Sequence, residues 1–202
     1  METELKSRPV TVADPYDAIE VCFKNGWTDG LPVVPASRER IQAMLEGGGV
    51  EASKQVAFIQ NRQVSVSAEK VAINAVMAGC KPEYMPVVLA AVEALADPLY
   101  GYHGPATSTG GSAVFMVVNG PLAKKLDINN GNNLFGPGWR PNATIRRAVR
   151  LVMRNVIGTL PGELDQSSLG HAGKYTFCIA ENEQDSPWPP FHTTRGYKPD
   201  QN

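Results

Sequence analysis

Residues 129–158, "NNGNNLFGPGWRPNATIRRAVRLVMRNVIG", set an asparagine- and glycine-rich loop directly before a helix whose apolar and cationic residues separate by face. Over 143–157, Ile145, Ala148, Val149, Val152 and Val156 share one side of a helical wheel, and Arg146, Arg147, Arg150 and Arg154 share another. Such a helix must bury one side, so the rest of the chain has to supply a core that receives it. The arginine side reads as solvated or paired with carboxylates. Arg146 and Arg147 stand in the expected first turn, where the helix dipole disfavours cations, so a negative partner is expected near the loop. Gly131, Gly136 and Gly138 let backbone amides turn inward, and Pro141 with Asn142 opens the helix. Arg140 offers a bidentate fork and Trp139 a cover. The loop is therefore expected to hold a carboxylate-bearing ligand, or a buried Asp or Glu, against Arg140 and the amides near Asn142.

The remaining elements follow from caps and periods. Asp14-Pro15 opens a helix that Gly26 stops, with Ala18, Ile19, Val21, Cys22 and Phe23 as its apolar face. Ser37 caps a helix through Leu45, closed by "GGG" at 47–49, with Ile41, Met44 and Leu45 at core spacing. "QVAFIQ" (55–60) and "QVSVS" (63–67) read as a hairpin turning at "NR". Ser67 caps "AEKVAINAVMAG", whose buried side is Val71, Ile73 or Asn74, Ala75 and Ala78; a second apolar helix spans 87–96. "AVFMVVNG" (113–120) predicts a buried strand, and the alternation in "GKYTFCIAEN" (173–182) predicts another. Elements alternate without a regular βαβ rhythm, so the fold class is α+β or mixed α/β. One domain over 1–185 is followed by a proline-rich C-terminal arm, 186–202. Trp188, Phe191 and Tyr197 are expected to anchor that arm, and a chain so built is expected to be a homo-oligomer.

A formal net charge of -1 gives no basic field for a nucleic acid or an anionic membrane. The longest apolar run, "MPVVLAAVEALA" (85–96), is shorter than the roughly 20 residues a bilayer needs. The polar N-terminus carries no secretory signal, and three cysteines without a CxxC suit a reducing compartment; the expectation is a cytoplasmic protein.

Chemistry has few places to reside. Cys80, between two helices and ahead of Lys81-Pro82, is either a nucleophile whose thiolate a helix start favours, or a small buried hydrophobe. As a nucleophile it would be partly exposed with a lowered pKa. His103, His171 and His192 lie in glycine- or proline-rich segments without HxH, HExxH or HxxxH spacing, so no metal is expected. His171, near Lys174 and Tyr175, is the acid–base candidate. Glu181 and Glu183 leave a predicted strand end, and Asn74 interrupts an apolar helix face and needs a partner. "TSTGGSA" (107–113) is no phosphate loop, but its amides and hydroxyls suit a pocket wall.

The strings "WTDGLPVVP" (27–35), "KVAINAVMAGCKPEYMPVVLAAVEA" (70–94), "NLFGPGWRPNATIRRAVRLVMRNV" (133–156) and "GKYTFCIAENEQDSPW" (173–188) together resemble small bacterial proteins associated with the UGSC-type (seleno)protein family. The chain lacks a Cys-Gly-Ser-Cys or selenocysteine equivalent, so a thiol or selenol role implied by that resemblance would need a UGSC-type partner protein. The resemblance adds Asp29, Glu83 and Lys174 to the positions of interest. The resulting expectation is a small cofactor-independent enzyme of hydrolase or lyase type. Cys80, His171, Lys174 and Glu181 are its catalytic candidates, and Asn74, Arg140, Asn142, Trp139 and Asp29 would bind a small carboxylate-bearing metabolite. The alternative is a non-catalytic binding or assembly subunit of a multi-component thiol or selenol enzyme.

Overall fold

The computed structural model describes residues 4–202. Among these residues eight helices, α1 (Pro15–Lys24), α2 (Arg38–Gly48), α3 (Ala68–Ala78), α4 (Met85–Leu95), α5 (His103–Thr107), α6 (Pro121–Lys125), α7 (Arg140–Asn155) and α8 (Phe191–Thr194), are interleaved with four short strands. Strands β1 (Gln55–Ile59) and β2 (Val64–Ser67) form an antiparallel hairpin, and β3 (Met116–Val118) pairs in parallel with β4 (Cys178–Ala180). The class is α+β.

The early helices form where their caps demand. The Asp14 carboxylate accepts the amides of Tyr16 and Asp17, and the Ser37 and Ser67 hydroxyls accept those of Arg40 and Lys70. α2 and α3 end at Gly49 and Gly79, whose φ values of 59° and 89° belong to the left-handed region that glycine enters without strain. Around these ends the chain packs closely. A side chain at Gly47 would drive into the Pro82 carbonyl of the turn before α4.

α7 is the axis of the molecule. It lies against α3, α4 and β4, and Ile145, Ala148, Val149, Leu151 and Val152 have no exposed surface. The small residues Ala68, Ala72 and Ala75 on α3 are equally sealed, which lets the two backbones approach. α7 begins at Arg140, three residues earlier than the wheel predicts, so Arg146 and Arg147 lie beyond the first turn and escape the dipole penalty inferred for them. Nor is the arginine face solvated throughout. Arg146 is only 1% exposed and Arg150 7%.

Two strand expectations are corrected. Only 116–118 of the 113–120 run is strand, and it is not buried: Val117 is 42% and Phe115 46% exposed. Among the described residues β3 has a single partner, which leaves an open edge, and Phe115 packs at a tilt against Phe135 and Phe177 at the surface instead of entering the core. In the 173–182 run, Ala172–Lys174 is a single turn of 3-10 helix and strand begins only at Cys178, so Cys178 and Ala180 face inward and Tyr175 outward. The apolar face of α1 has no buried residue.

Cys80 is buried, and its thiol donates to the Thr144 carbonyl at 3.3 Å. Burial pushes its pKa up to about 12, and does the same to Cys178. An exposed, activated Cys80 is thus ruled out by its position: the helix start it precedes is part of the core. A thiol reagent should leave Cys80 and Cys178 unmodified in the native protein and reach all three cysteines after denaturation. Three fast native thiols would contradict this.

Residues 186–202 fold back against α6 and the residues that follow β4 by polar contacts. The Asn202 side chain accepts the Leu122 amide, and Glu181 accepts the Phe191 amide at 2.9 Å. His192 is its buried residue, 3.5 Å from Glu183. Trp188, Phe191 and Tyr197, expected as anchors, are exposed on the surface of this chain. Short backbone and carboxylate bonds hold this segment, and the aromatic rings are left outside. Among the described residues no helix is long and apolar enough to cross a membrane.

Candidate functional site

The "WTDGLPVVP" segment is strapped to α7 by polar side chains that project from the helix. Arg154 donates to the Gly26 carbonyl at 3.1 Å, and Asn155 to that of Trp27 at 2.9 Å. Arg147 reaches the Leu31 and Pro32 carbonyls and grips Asp29 with two bonds of 2.8 Å. This bidentate pair is the buried carboxylate–arginine contact that the sequence assigned to Arg140. Burial works against ionisation of Asp29, but the Arg147 hydrogen bonds and charge outweigh it and hold the carboxyl below the usual range. With a depressed folded pKa, the stabilisation is complete above the unfolded carboxylate value and is lost as pH falls through the folded one. Asp29→Asn should therefore lower stability by about 2 kcal/mol at neutral pH, and its deficit against the wild type should shrink below roughly pH 4. Acid-unfolding curves of both proteins check this; a deficit independent of pH would contradict it.

Beside this strap, the irregular segment 158–175 arches over the C-terminal half of α7 and encloses a cleft of about 650 Å³. Positive φ values at Gly158, Gly162 and Gly170 turn the segment, and its inner side carries Asp165, Ser167, His171 and Lys174. The Lys174 ammonium donates to both Asp165 oxygens, at 2.8 and 2.7 Å, and to Ser167 Oγ at 2.6 Å. Ser167 Oγ is also 2.7 Å from Asp165 Oδ1 and 2.8 Å from the Gly110 carbonyl. Arg150 approaches Asp165 to 3.6 Å from the helix. Burial opposes the charge on Asp165, yet the bonds from Lys174 and Ser167 hold its carboxyl below the ordinary range. Asp165 is therefore an anion committed to its neighbours and a poor base.

His171 stands at the rim. Its Nδ1 accepts the Gly173 amide at 3.0 Å, which in the neutral ring places the proton on Nε2. The Nε2–H is then a donor. Its other face packs near Phe177, 5.7 Å between centroids.

The cleft is lined by Arg150, Arg154 and Lys174 against Asp29 and Asp165. Asp29 is already matched by Arg147, so the balance of charge toward a ligand is positive. Leu169, 97% exposed, and Tyr175, 49% exposed, supply apolar lips to the same cleft.

Among the sequence candidates, Asp29, His171 and Lys174 come together here. The others do not. Arg140 is exposed, donates to the Gly79 carbonyl at 3.0 Å and lines, with Trp139, a separate surface hollow that also contains Lys81 and Glu83. Among the described residues no carboxylate pairs with Arg140. Asn142 is buried and holds the backbone together, bonding the Asn129 amide and carbonyl and the Cys178 carbonyl. The loop is fixed to β4 by that amide side chain, which answers its need for a polar partner without a ligand. Asn74 accepts from Asn155 at 2.8 Å and donates to the Lys70 carbonyl. Glu181, bonded to Asn119 and the Phe191 amide, lies in another hollow, at the arm. Among the described residues, no group of three or more His, Cys, Asp or Glu is placed to hold a metal ion.

Sequence reasoning missed Asp165, Ser167, Arg146 and Arg150 as site residues. The available signal was the i, i+4 spacing of the two arginines, opposite a glycine-punctuated loop carrying an aspartate and serines. The 107–113 segment does contribute a wall: Ser112 and Ala113 line a small inner cavity behind Asp165, and Gly110 bonds Ser167. Set against protein-family models, curated proteins and solved structures, the chain matches none of them, so its resemblance to UGSC-associated proteins rests on the quoted strings alone.

Proposed function

We propose that the chain is a small cofactor-independent enzyme of lyase type, acting on a carboxylate-bearing metabolite held in the cleft under segment 158–175. The observation that carries the reading is the Lys174–Asp165–Ser167 network, with Arg150 behind it, opening into a cleft of substrate size. Cations and N–H donors converge there, whereas a free base is lacking: both Asp165 oxygens are engaged and His171 Nδ1 is occupied.

Donors without a base suit a step that places negative charge on substrate oxygen and ends with proton delivery. Loss of CO2 from a β-keto carboxylate is such a step. The C–C bond electrons become an enolate, which Arg150 and Lys174 stabilise, and Lys174 gives the proton to carbon. Ser167 orients the ammonium, and the Nε2–H of His171 is a second donor at the rim. Hydrolysis is the less favoured branch, because Ser167 would have to give its proton to a carboxylate held at low pKa.

A panel of β-keto carboxylates, followed by CO2 release, and of carboxylate esters, followed by acid release, tests the proposal. Lys174→Met should lower the rate on the accepted substrate by about a hundredfold or more while the protein stays folded. Turnover of neither panel, or a Lys174→Met rate equal to the wild type, would reject it.

One observation favours the alternative, a binding or assembly subunit. Phe115, Phe135 and Phe177 form a surface cluster with centroids 4.5 to 6.2 Å apart, and Phe135 is 65% exposed. A second copy or a UGSC-type protein would cover it in that reading, and Phe135→Ser would then shift the assembly state in sedimentation.

A further inference from the structure

Behind the cleft lies a second, much smaller cavity of about 30 Å³. The two share a wall, because Arg150, Asp165 and Lys174 line both. At its inner end is Arg146. That side chain is 1% exposed, its Nε donates to the Val114 carbonyl at 2.8 Å, and its Nη1 is buried without any partner. Among the described residues it forms no ion pair.

A guanidinium sealed from water and left without a counter-charge is costly, and proteins rarely keep one for packing alone. Around the small cavity Arg146, Arg150 and Lys174 face a single carboxylate, Asp165, so the surplus charge is positive. Tyr102 in the same wall is bonded to Thr159, whereas the buried Nη1 of Arg146 keeps its donors free. The volume holds roughly two water-sized atoms, the size of a carboxylate's two oxygens.

We propose that the inner cavity receives a second anionic group of the substrate, so that the molecule acted on in the cleft is a dianion of the dicarboxylate class. The inference rests on the reading of the cleft as a substrate site. One carboxylate enters between Arg146 and Arg150, and the remainder of the molecule lies against Lys174 in the outer cleft. The inner group fixes the register of the reacting carbon, which is how non-reacting binding energy serves a chemical step.

Calorimetric titration of the full chain with succinate and glutarate, each against the monocarboxylate of equal chain length (butyrate and valerate), tests it. The dicarboxylates should bind at least about tenfold more tightly, the range for charged hydrogen bonds to a guanidinium. Arg146→Met should remove that preference, and Arg146→Lys, which keeps the charge but not the fork, should retain part of it. The wild-type comparison needs no variant and stands even if Arg146→Met misfolds. Equal affinities within each pair would overturn the dianion inference and leave the cleft reading in place. Failure of all four acids to bind would overturn both. A chloride titration separates the other source of such an anion: chloride that stabilises the protein as much as succinate does would mark a resident halide site and overturn the inference.

Discussion

Asp165→Asn is expected to destabilise the protein by about 3–5 kcal/mol, a fall in melting temperature of roughly 6–20 °C for a chain of this size. Asp165 is 8% exposed and is, among the described residues, the one carboxylate shared by Lys174 and Arg150, with Ser167 as a further donor. The substitution keeps the shape and removes the charge, so two cations are left facing each other in a poorly solvated wall, with Arg146 close behind. The loss should carry a signature that a packing defect lacks. Added chloride or acetate should restore stability to Asp165→Asn more than to the wild type, because an anion can take the vacant place between the cations. Thermal melts across a salt series, with perchlorate and sulfate as controls for general salt effects, measure this. A defect smaller than 1 kcal/mol, or one that salt deepens, would be inconsistent with the cluster as described.

Leu151→Ala is the second large effect, expected at about 2–5 kcal/mol. Leu151 has no exposed surface, and its neighbours along α7 from Ala148 to Met153 are all buried, so the helix is surrounded and cannot shift far to close the gap. Denaturant unfolding should show a lower midpoint with an unchanged slope. A loss under 1 kcal/mol would mean that this side of α7 repacks easily, and it would weaken the view of α7 as the rigid base of the cleft.

The parts legible in the sequence are those set by local chemistry. Asp14, Ser37 and Ser67 announce helices because a cap is a contact within three residues, and Gly49 and Gly79 end them for the same reason. The period of Ile145, Ala148, Val149 and Val152 identified the core side of α7. What escaped depends on contacts across long separations. Arg146 and Arg150 read as surface residues by type, and only the arrival of 100–114 and 158–175 over the helix buries them. Asp165 and Ser167 sit in a segment with no period at all. The loop 129–142 misled in the opposite direction: its asparagines and glycines suggested a ligand cradle, whereas Asn142 spends its bonds on the backbone of Asn129 and Cys178. Asn74 was read as a polar residue in need of a partner, but that partner, Asn155, was not deducible from spacing.

The cleft between segment 158–175 and α7 as the seat of a carboxylate is the claim on which the functional reading depends. A crystal structure of the full chain soaked in glutarate tests it most directly. A carboxylate should be found bonded to Lys174 and Arg150, with its carbon chain under Leu169 and Tyr175. Glutarate bound instead at the Arg140 hollow, or a cleft left empty at saturating glutarate, would contradict it.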